Sequence, residues 1–237
     1  MRFSILSFLP TKHRLQVVSA SLLERLQGLD FTMPDRMYDR GRNDGAMYLA
    51  SSRKMARQLF SLVDKTRFPN FLDVGCGKGF ILWQAQEAGF SKVTGVEYDE
   101  KLAQICRGNL QRLNLQDAVT VAQGDAREFP DYGEYDVFYF FNPFVEEVME
   151  QVVSKIIRQC AGKEIVIIYY RPRYPAPIEK SGYFHLEYVL RDRDRNYDIH
   201  VYRGNIPEKE GIDISQECAM IQKNCIQALS RVVEGTA

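Results

Sequence analysis

Long apolar runs are missing from this chain. The apolar start Phe3–Leu9 is short and broken by Ser4, Ser7 and Pro10, so neither a membrane span nor a signal peptide is predicted. Cysteine is sparse and unpaired in pattern. Cys76, Cys106, Cys160, Cys218 and Cys225 are scattered, odd in number and without a CxxC spacing. That predicts reduced, mostly buried thiols in a cytoplasmic protein, and no zinc site. The histidines, His13, His185 and His200, fall at no ligand spacing, so no metal is implied and structural histidine is the default. Neither sign of charge prevails: 31 Lys plus Arg face 31 Asp plus Glu. A wholly basic nucleic-acid binder is therefore not indicated, although a local basic patch remains open. There is no internal repeat and no low-complexity tract. What is present is 237 residues, 45% hydrophobic and 12% aromatic, enough for one large domain with extra segments.

The most informative stretch is Leu72-Asp73-Val74-Gly75-Cys76-Gly77-Lys78-Gly79. An apolar run ends in an acid, and glycines then alternate with other residues. Glycine lets the backbone turn tightly and approach a ligand closely. A helical pattern follows at once, through Phe80, Ile81, Trp83, Ala85 and Ala88. Asp73 discriminates between ligands. A carboxylate here would repel a pyrophosphate but suits a ligand bearing an ammonium and a sulfonium, which points to S-adenosylmethionine (SAM). Dinucleotide sites carry Gly-x-Gly-x-x-Gly without that acid.

The surrounding pattern predicts an α/β fold. Strands are expected at 70–74, 92–97, 118–122, 136–141 and 164–170, and helices at 79–88, 100–113 and 144–158. Each strand reads as a short apolar run, as in a parallel sheet buried on both faces. Phe184–Leu190 and Tyr197–Tyr202 alternate with period two around the polar turn 191–196. They predict an antiparallel hairpin closing the sheet, a seven-stranded, mostly parallel Rossmann-like arrangement with helices on both faces. Further helices are expected at 11–29, at 44–63 and at 214–233. The division expected is 1–43 as an N-terminal lid extension, 44–204 as the catalytic domain and 205–237 as a C-terminal linker and helix.

Four signals sit at expected strand ends, where open α/β sheets bind ligands. They are the glycine loop, Val93-Thr94-Gly95-Val96-Glu97, Gly124-Asp125-Ala126 and Phe140-Phe141-Asn142-Pro143-Phe144. Glu97 can accept from both ribose hydroxyls. Asp125 can accept from an adenine amine, while a backbone N–H reaches a ring nitrogen. In their joint order over residues 44–203, these pieces and the terminal hairpin make the chain resemble the class I SAM-dependent methyltransferases. The resemblance implies SAM as cofactor, held by Asp73, Gly75, Cys76, Gly77, Gly79, Glu97, Tyr98, Asp125, Ala126 and Asn142. It implies Asn142, Pro143 and Phe144 on the acceptor side.

Phe-Asn-Pro-Phe after an aromatic strand also resembles small bacterial methyltransferases distantly similar to the non-SET histone-lysine methyltransferases. It is similar to the Asn-Pro-Pro-Phe motif of amino-methylating nucleic-acid and glutamine enzymes, but lacks one proline. That shifts the ring by one residue and argues against base stacking by Phe144. A planar amine target stays open, and so does a lysine ammonium in an aromatic channel of Tyr135, Tyr139, Phe140, Phe141 and Phe144. A plain alternative has Pro143 at the first position of a helix. The lid candidates are Tyr38, Arg40, Arg42, Asn43 and Tyr48, with Arg40 or Arg42 pairing with the methionine carboxylate. Arg171 and Arg173 flank the site. No base stands at the strand ends, which favours an amine acceptor, on a protein side chain or a small molecule, over a hydroxyl. A non-catalytic scaffold and a nucleic-acid amino-methyltransferase are the alternatives. The terminal helices are candidates for a cap or a homo-oligomer contact.

Overall fold

Alternating apolar strands and amphipathic stretches become a layered sheet because each strand can bury two faces only between helices. The computed structural model describes residues 24, 26–31 and 53–208. In chain order these carry α1 (Arg53–Ser61), β1 (Asn70–Val74), α2 (Phe80–Glu87), β2 (Lys92–Glu97), α3 (Glu100–Arg112), β3 (Val119–Gln123), β4 (Val137–Phe141), α4 (Glu146–Gln159), β5 (Glu164–Tyr170), α5 (Ala176–Glu179), β6 (Phe184–Asp192) and β7 (Tyr197–Asn205). The seven strands run β3-β2-β1-β4-β5-β7-β6. The first five are mutually parallel; β7 is antiparallel to β5 and to β6. The order reverses between β1 and β4, and such a switch point opens a crevice at the carboxyl ends of the strands.

Period-two alternation divides the core into two layers. Phe71, Val137, Tyr139, Val166 and Ile168 face one way, with Leu59 and Phe60 of α1, Leu82 and Ala85 of α2, and Leu110 of α3. Leu72, Phe138, Phe140, Ile165 and Ile167 face the other way, with Val152, Val153 and Ile156 of α4. Burial on both faces was expected of every parallel strand, and β3 departs from it. Only Val119 of β3 is buried, because the strand lies at an edge of the sheet.

The hairpin strands extend beyond the expected residues 190 and 202. Arg191 pairs with Asp198 and Asp192 with Tyr197 in the ladder, and an Arg191–Asp198 ion pair spans the same position. The turn is correspondingly shorter. Two elements had no sequence signal strong enough to place them: a 3-10 turn at Tyr132–Glu134 and the single-turn helix α5. The expected helices at 11–29 and 214–233 lie almost entirely outside the described residues, as do residues 44–52 of the helix expected at 44–63. Among the described residues no helix is long and apolar enough to cross a membrane.

Candidate active site

The crevice is built first by the turn after β1. Gly75 and Cys76 both donate backbone N–H groups to the Val96 carbonyl, at 2.9 and 3.0 Å, which stitches the loop to β2. Gly75 has φ +89°, and a Cβ there would lie 2.7 Å from Cβ of Pro143. Glycine is therefore required both for conformation and for the approach of the Asn142-Pro143 segment. Gly79 opens α2 at φ +85°, where a Cβ would strike Sγ of Cys106 at 2.4 Å. Gly77 donates its N–H to Oε2 of Glu97 at 2.7 Å.

Asp73, at the end of β1, is 3% exposed. Burial, with the Glu97 carboxylate adding to it, pushes its carboxyl well above the usual aspartate range. Among the described residues no group donates to that carboxylate. Glu97 is also raised by burial, opposed by N–H donors from Asp99 and Gly77. Two buried acids beside a backbone cradle make a site short of positive charge. Cys76 does not supply a nucleophile. Its hydrogen bond with Cys106, then burial, pushes its thiol well above the ordinary range.

The other expected cofactor residues are placed with some surprises. Tyr98 is half exposed, and its carbonyl accepts from Nε2 of Gln123 at 3.1 Å. The Gly124 N–H donates to the Glu97 carbonyl at 2.9 Å, which brings the ends of β2 and β3 together. The Asp125 carboxylate, expected to accept from adenine, is held by Nε and Nη2 of Arg127 and by that residue's backbone N–H. Ala126 is buried, and its carbonyl accepts from the Tyr132 hydroxyl at 2.7 Å.

Asn142 follows β4 with φ +42°, a left-handed conformation unusual for a residue with a Cβ. It is 5% exposed, and its Oδ1 is buried without a hydrogen-bond partner among the described residues. A buried acceptor without a donor is unfavourable, and such strain gathers at functional sites. Pro143 does not start a helix: α4 begins at Glu146, so that plain alternative is set aside. Phe144 packs partly against the α4 side of the core. The aromatic channel is also reduced. Tyr135, Tyr139 and Phe140 are core residues, and Phe141 is the ring left at the strand end, packed on Tyr170 at 4.3 Å. Phe141 pairs with Tyr170 in register, so Asn142 and Arg171 follow on adjacent strands. Arg171 is likewise left-handed, at φ +55°, with its guanidinium 4.6 Å from the centre of the Tyr197 ring. Arg173 is exposed, its guanidinium 5.8 Å from the Tyr174 ring.

Tyr38, Arg40, Arg42, Asn43 and Tyr48, the lid candidates, lie outside the described residues, as does His13. His200 contacts the Tyr202 hydroxyl at 2.8 Å, and His185 is exposed. Among the described residues no three His, Cys, Asp or Glu side chains cluster as a metal site. Sequence reasoning missed Asp30 and Asn109. Lys78, a long cation inside a glycine run, was a visible signal, but nothing local pointed to its partner 48 residues upstream.

Residues 73–172 match the family described as the ANTKMT methyltransferase domain. The chain carries a class I SAM-dependent methyltransferase domain. Its cofactor is SAM. The chain is 25% identical over 158 residues to the ribosomal protein L11 methyltransferase of Acetivibrio thermocellus, a span of 67% of this chain and 43% of that protein. It thus covers less than half the length of that relative. Two solved structures share the fold. Cofactor-bound Rv0187 from MTB superposes with a TM-score of 0.55 at 18% identity, over 81% of this chain and 91% of that one. An RNA methyltransferase from Salinibacter ruber, in complex with S-adenosyl-L-homocysteine, gives 0.50 at 23% identity, over 70% and 99%.

The methyltransferase site fits SAM on its own terms. Asp73 lacks a donor where an ammonium and a sulfonium would bring positive charge. Glu97 uses one lone pair on each oxygen for backbone N–H groups, leaving others for hydroxyls.

Proposed function

We propose that this methyltransferase transfers the SAM methyl group to an amine nitrogen of a protein side chain, with lysine as the favoured acceptor. The observation that carries the reading is the buried, partnerless Oδ1 of Asn142. It is an acceptor held in a strained conformation and braced by Pro143 against the cofactor loop. A neutral amine has N–H groups to give such an oxygen, and its lone pair is then free to attack. Cys76, the thiol at the strand ends, is pushed further from ionisation by Cys106 and burial, which supports the same choice. The likeness to the ANTKMT domain and to a methyltransferase named for ribosomal protein L11 supports a protein acceptor. Phe144, the ring after the proline, is partly packed against the core, which weighs against base stacking and so against a nucleic-acid acceptor.

Bound SAM supplies a methyl group already activated by its sulfonium. The chain's own residues bind, orient and exclude water. Asp73 and Glu97 hold the cofactor by its positive end and its ribose. Asn142 accepts an N–H of the acceptor so that nitrogen, methyl carbon and sulfur can align, and much of the rate gain is orientation. A lysine enters as an ammonium and must release one proton to solvent before attack. The carbon–sulfur bond breaks as the carbon–nitrogen bond forms. Transfer to the neutral amine would leave S-adenosylhomocysteine and a methylated ammonium, so one proton is released overall.

The test is incubation with methyl-tritiated SAM and a lysate of the host, followed by protease, RNase and amino-acid analysis. Protease-sensitive label recovered as methyl-lysine, and absent with Asn142→Ala, is the expected result. Label in RNA, or in a base-labile ester, would overturn the acceptor assignment. No transfer from a protein that still binds S-adenosylhomocysteine would favour the scaffold reading.

A further inference from the structure

The glycine loop has one long side chain, Lys78, and that residue is 2% exposed. Its Nζ donates to both carboxylate oxygens of Asp30, at 2.9 Å each. Asn109, on α3, closes the arrangement. Its Nδ2 donates to the carbonyls of Asp30 and Lys78, both at 3.0 Å, while its Oδ1 accepts the Asp30 N–H at 2.9 Å. The next residue, Phe31, is fully buried and stacks on Trp83 of α2 at 5.6 Å, with its ring edge-on to Phe80 at 5.7 Å. Asp30 holds the Lys78 ammonium and Asn109 its carbonyl, and Asp30 is bound to Asn109 in turn.

This network lies inside the cofactor loop's own geometry. Lys78 sits between Gly77, whose N–H binds Glu97, and Gly79, whose N–H binds the Cys76 carbonyl at 3.0 Å. Both glycines have positive φ, 53° and 85°. Glycines in that conformation have wide freedom to leave it, so the loop's shape is imposed by what holds it. A buried ammonium that loses a carboxylate partner moves toward water, and the peptides on either side of Lys78 must move with it.

We propose that Asp30 is a positioning residue for SAM, acting through Lys78 to keep the glycine loop in its binding conformation. The inference rests on SAM as the cofactor of this loop. Binding and docking of the Asp30–Phe31 segment are then coupled, so each favours the other.

Calorimetric titration of the full chain with S-adenosylhomocysteine tests this in wild type, Asp30→Asn, Asp30→Glu, Lys78→Met and the Asp30→Asn/Lys78→Met double variant. A cooperative thermal melt serves as the check on folding. Asp30→Asn is expected to weaken binding about tenfold or more, and Asp30→Glu to restore it to within about threefold. On the Lys78→Met background, Asp30→Asn should have no further effect, because no ammonium remains to be neutralised. Should Asp30→Asn fail to fold, the comparison of Lys78→Met with the double variant still decides, since neither buries that cation. Wild-type affinity in Asp30→Asn would overturn the proposal, as would an equal loss in both backgrounds. A wild-type protein that binds no S-adenosylhomocysteine would bring down the cofactor assignment itself, a result distinct from either.

Discussion

Asp73 and Asn142 are unfavourable residues for the fold, and on the proposed reading they serve the site. The Asp73 carboxyl titrates well above an unfolded-chain aspartate because it is buried beside Glu97. The folded, ligand-free protein therefore retains a proton that the unfolded chain has released above about pH 4. Its contribution to stability is full below that pH and is lost as pH rises through the folded pKa. Urea melts at acid and at neutral pH should show Asp73→Asn relieving that loss, so that the variant is more stable than wild type at neutral pH. The same variant should bind S-adenosylhomocysteine at least about tenfold more weakly by calorimetry, as a charge-assisted hydrogen bond is lost. Asn142→Ala should separate the two functions differently. Removing an oriented acceptor lowers kcat by about a hundredfold, by analogy with the loss of one preorganised hydrogen bond in other enzymes. Kinetics beside calorimetry will show how far the loss lies in kcat and how far in cofactor affinity.

At the scale of elements, the site is a contact between two turns. The turn after β1 meets the turn after β4 where Gly75 receives Pro143. Gly75→Ala would add a methyl group into Pro143 and force φ +89° on a residue that disfavours it. The expected cost is about 1–3 kcal/mol of stability, read as a lower urea midpoint, together with weakened cofactor binding. The supporting helix is ordinary by comparison. Ile156 of α4 is fully buried, and Ile156→Ala should destabilise by about 2–5 kcal/mol without changing affinity for the cofactor in the folded fraction. The contrast separates residues that shape the crevice from residues that hold the sheet.

For the whole molecule, ligand and fold are linked. A ligand at a hundred times its dissociation constant stabilises the folded state by about 2.7 kcal/mol. For a chain of 237 residues that is a rise in Tm of roughly 5–10 °C with S-adenosylhomocysteine, readable by calorimetry. The acceptor side adds a pH signature. If the acceptor is lysine, kcat/KM should rise tenfold per pH unit below the amine's pKa, near 10.4 in the unperturbed side chain, because only the neutral amine attacks. A profile flat over that range would point to an acceptor that is neutral throughout.

The strands, the helices between them and the closing hairpin were legible along the chain, because hydrophobic periodicity and turn chemistry are local. The strand-end positions of the glycine loop, Glu97, Asp125 and Asn142 were legible for a related reason: a parallel α/β sheet puts each strand's carboxyl end at one edge, so order along the sequence becomes adjacency in space. Burial along β3 was misread, since the rank of a strand in a sheet is set by pairing and not by its composition. Three facts belonged to the tertiary structure alone. Arg127 occupies Asp125, Pro143 packs into Gly75, and Asp30 reaches Lys78 across 48 residues. Each is a contact whose partner is decided by the folded arrangement. A one-dimensional pattern can say that a residue must be satisfied, but only the folded chain decides by what.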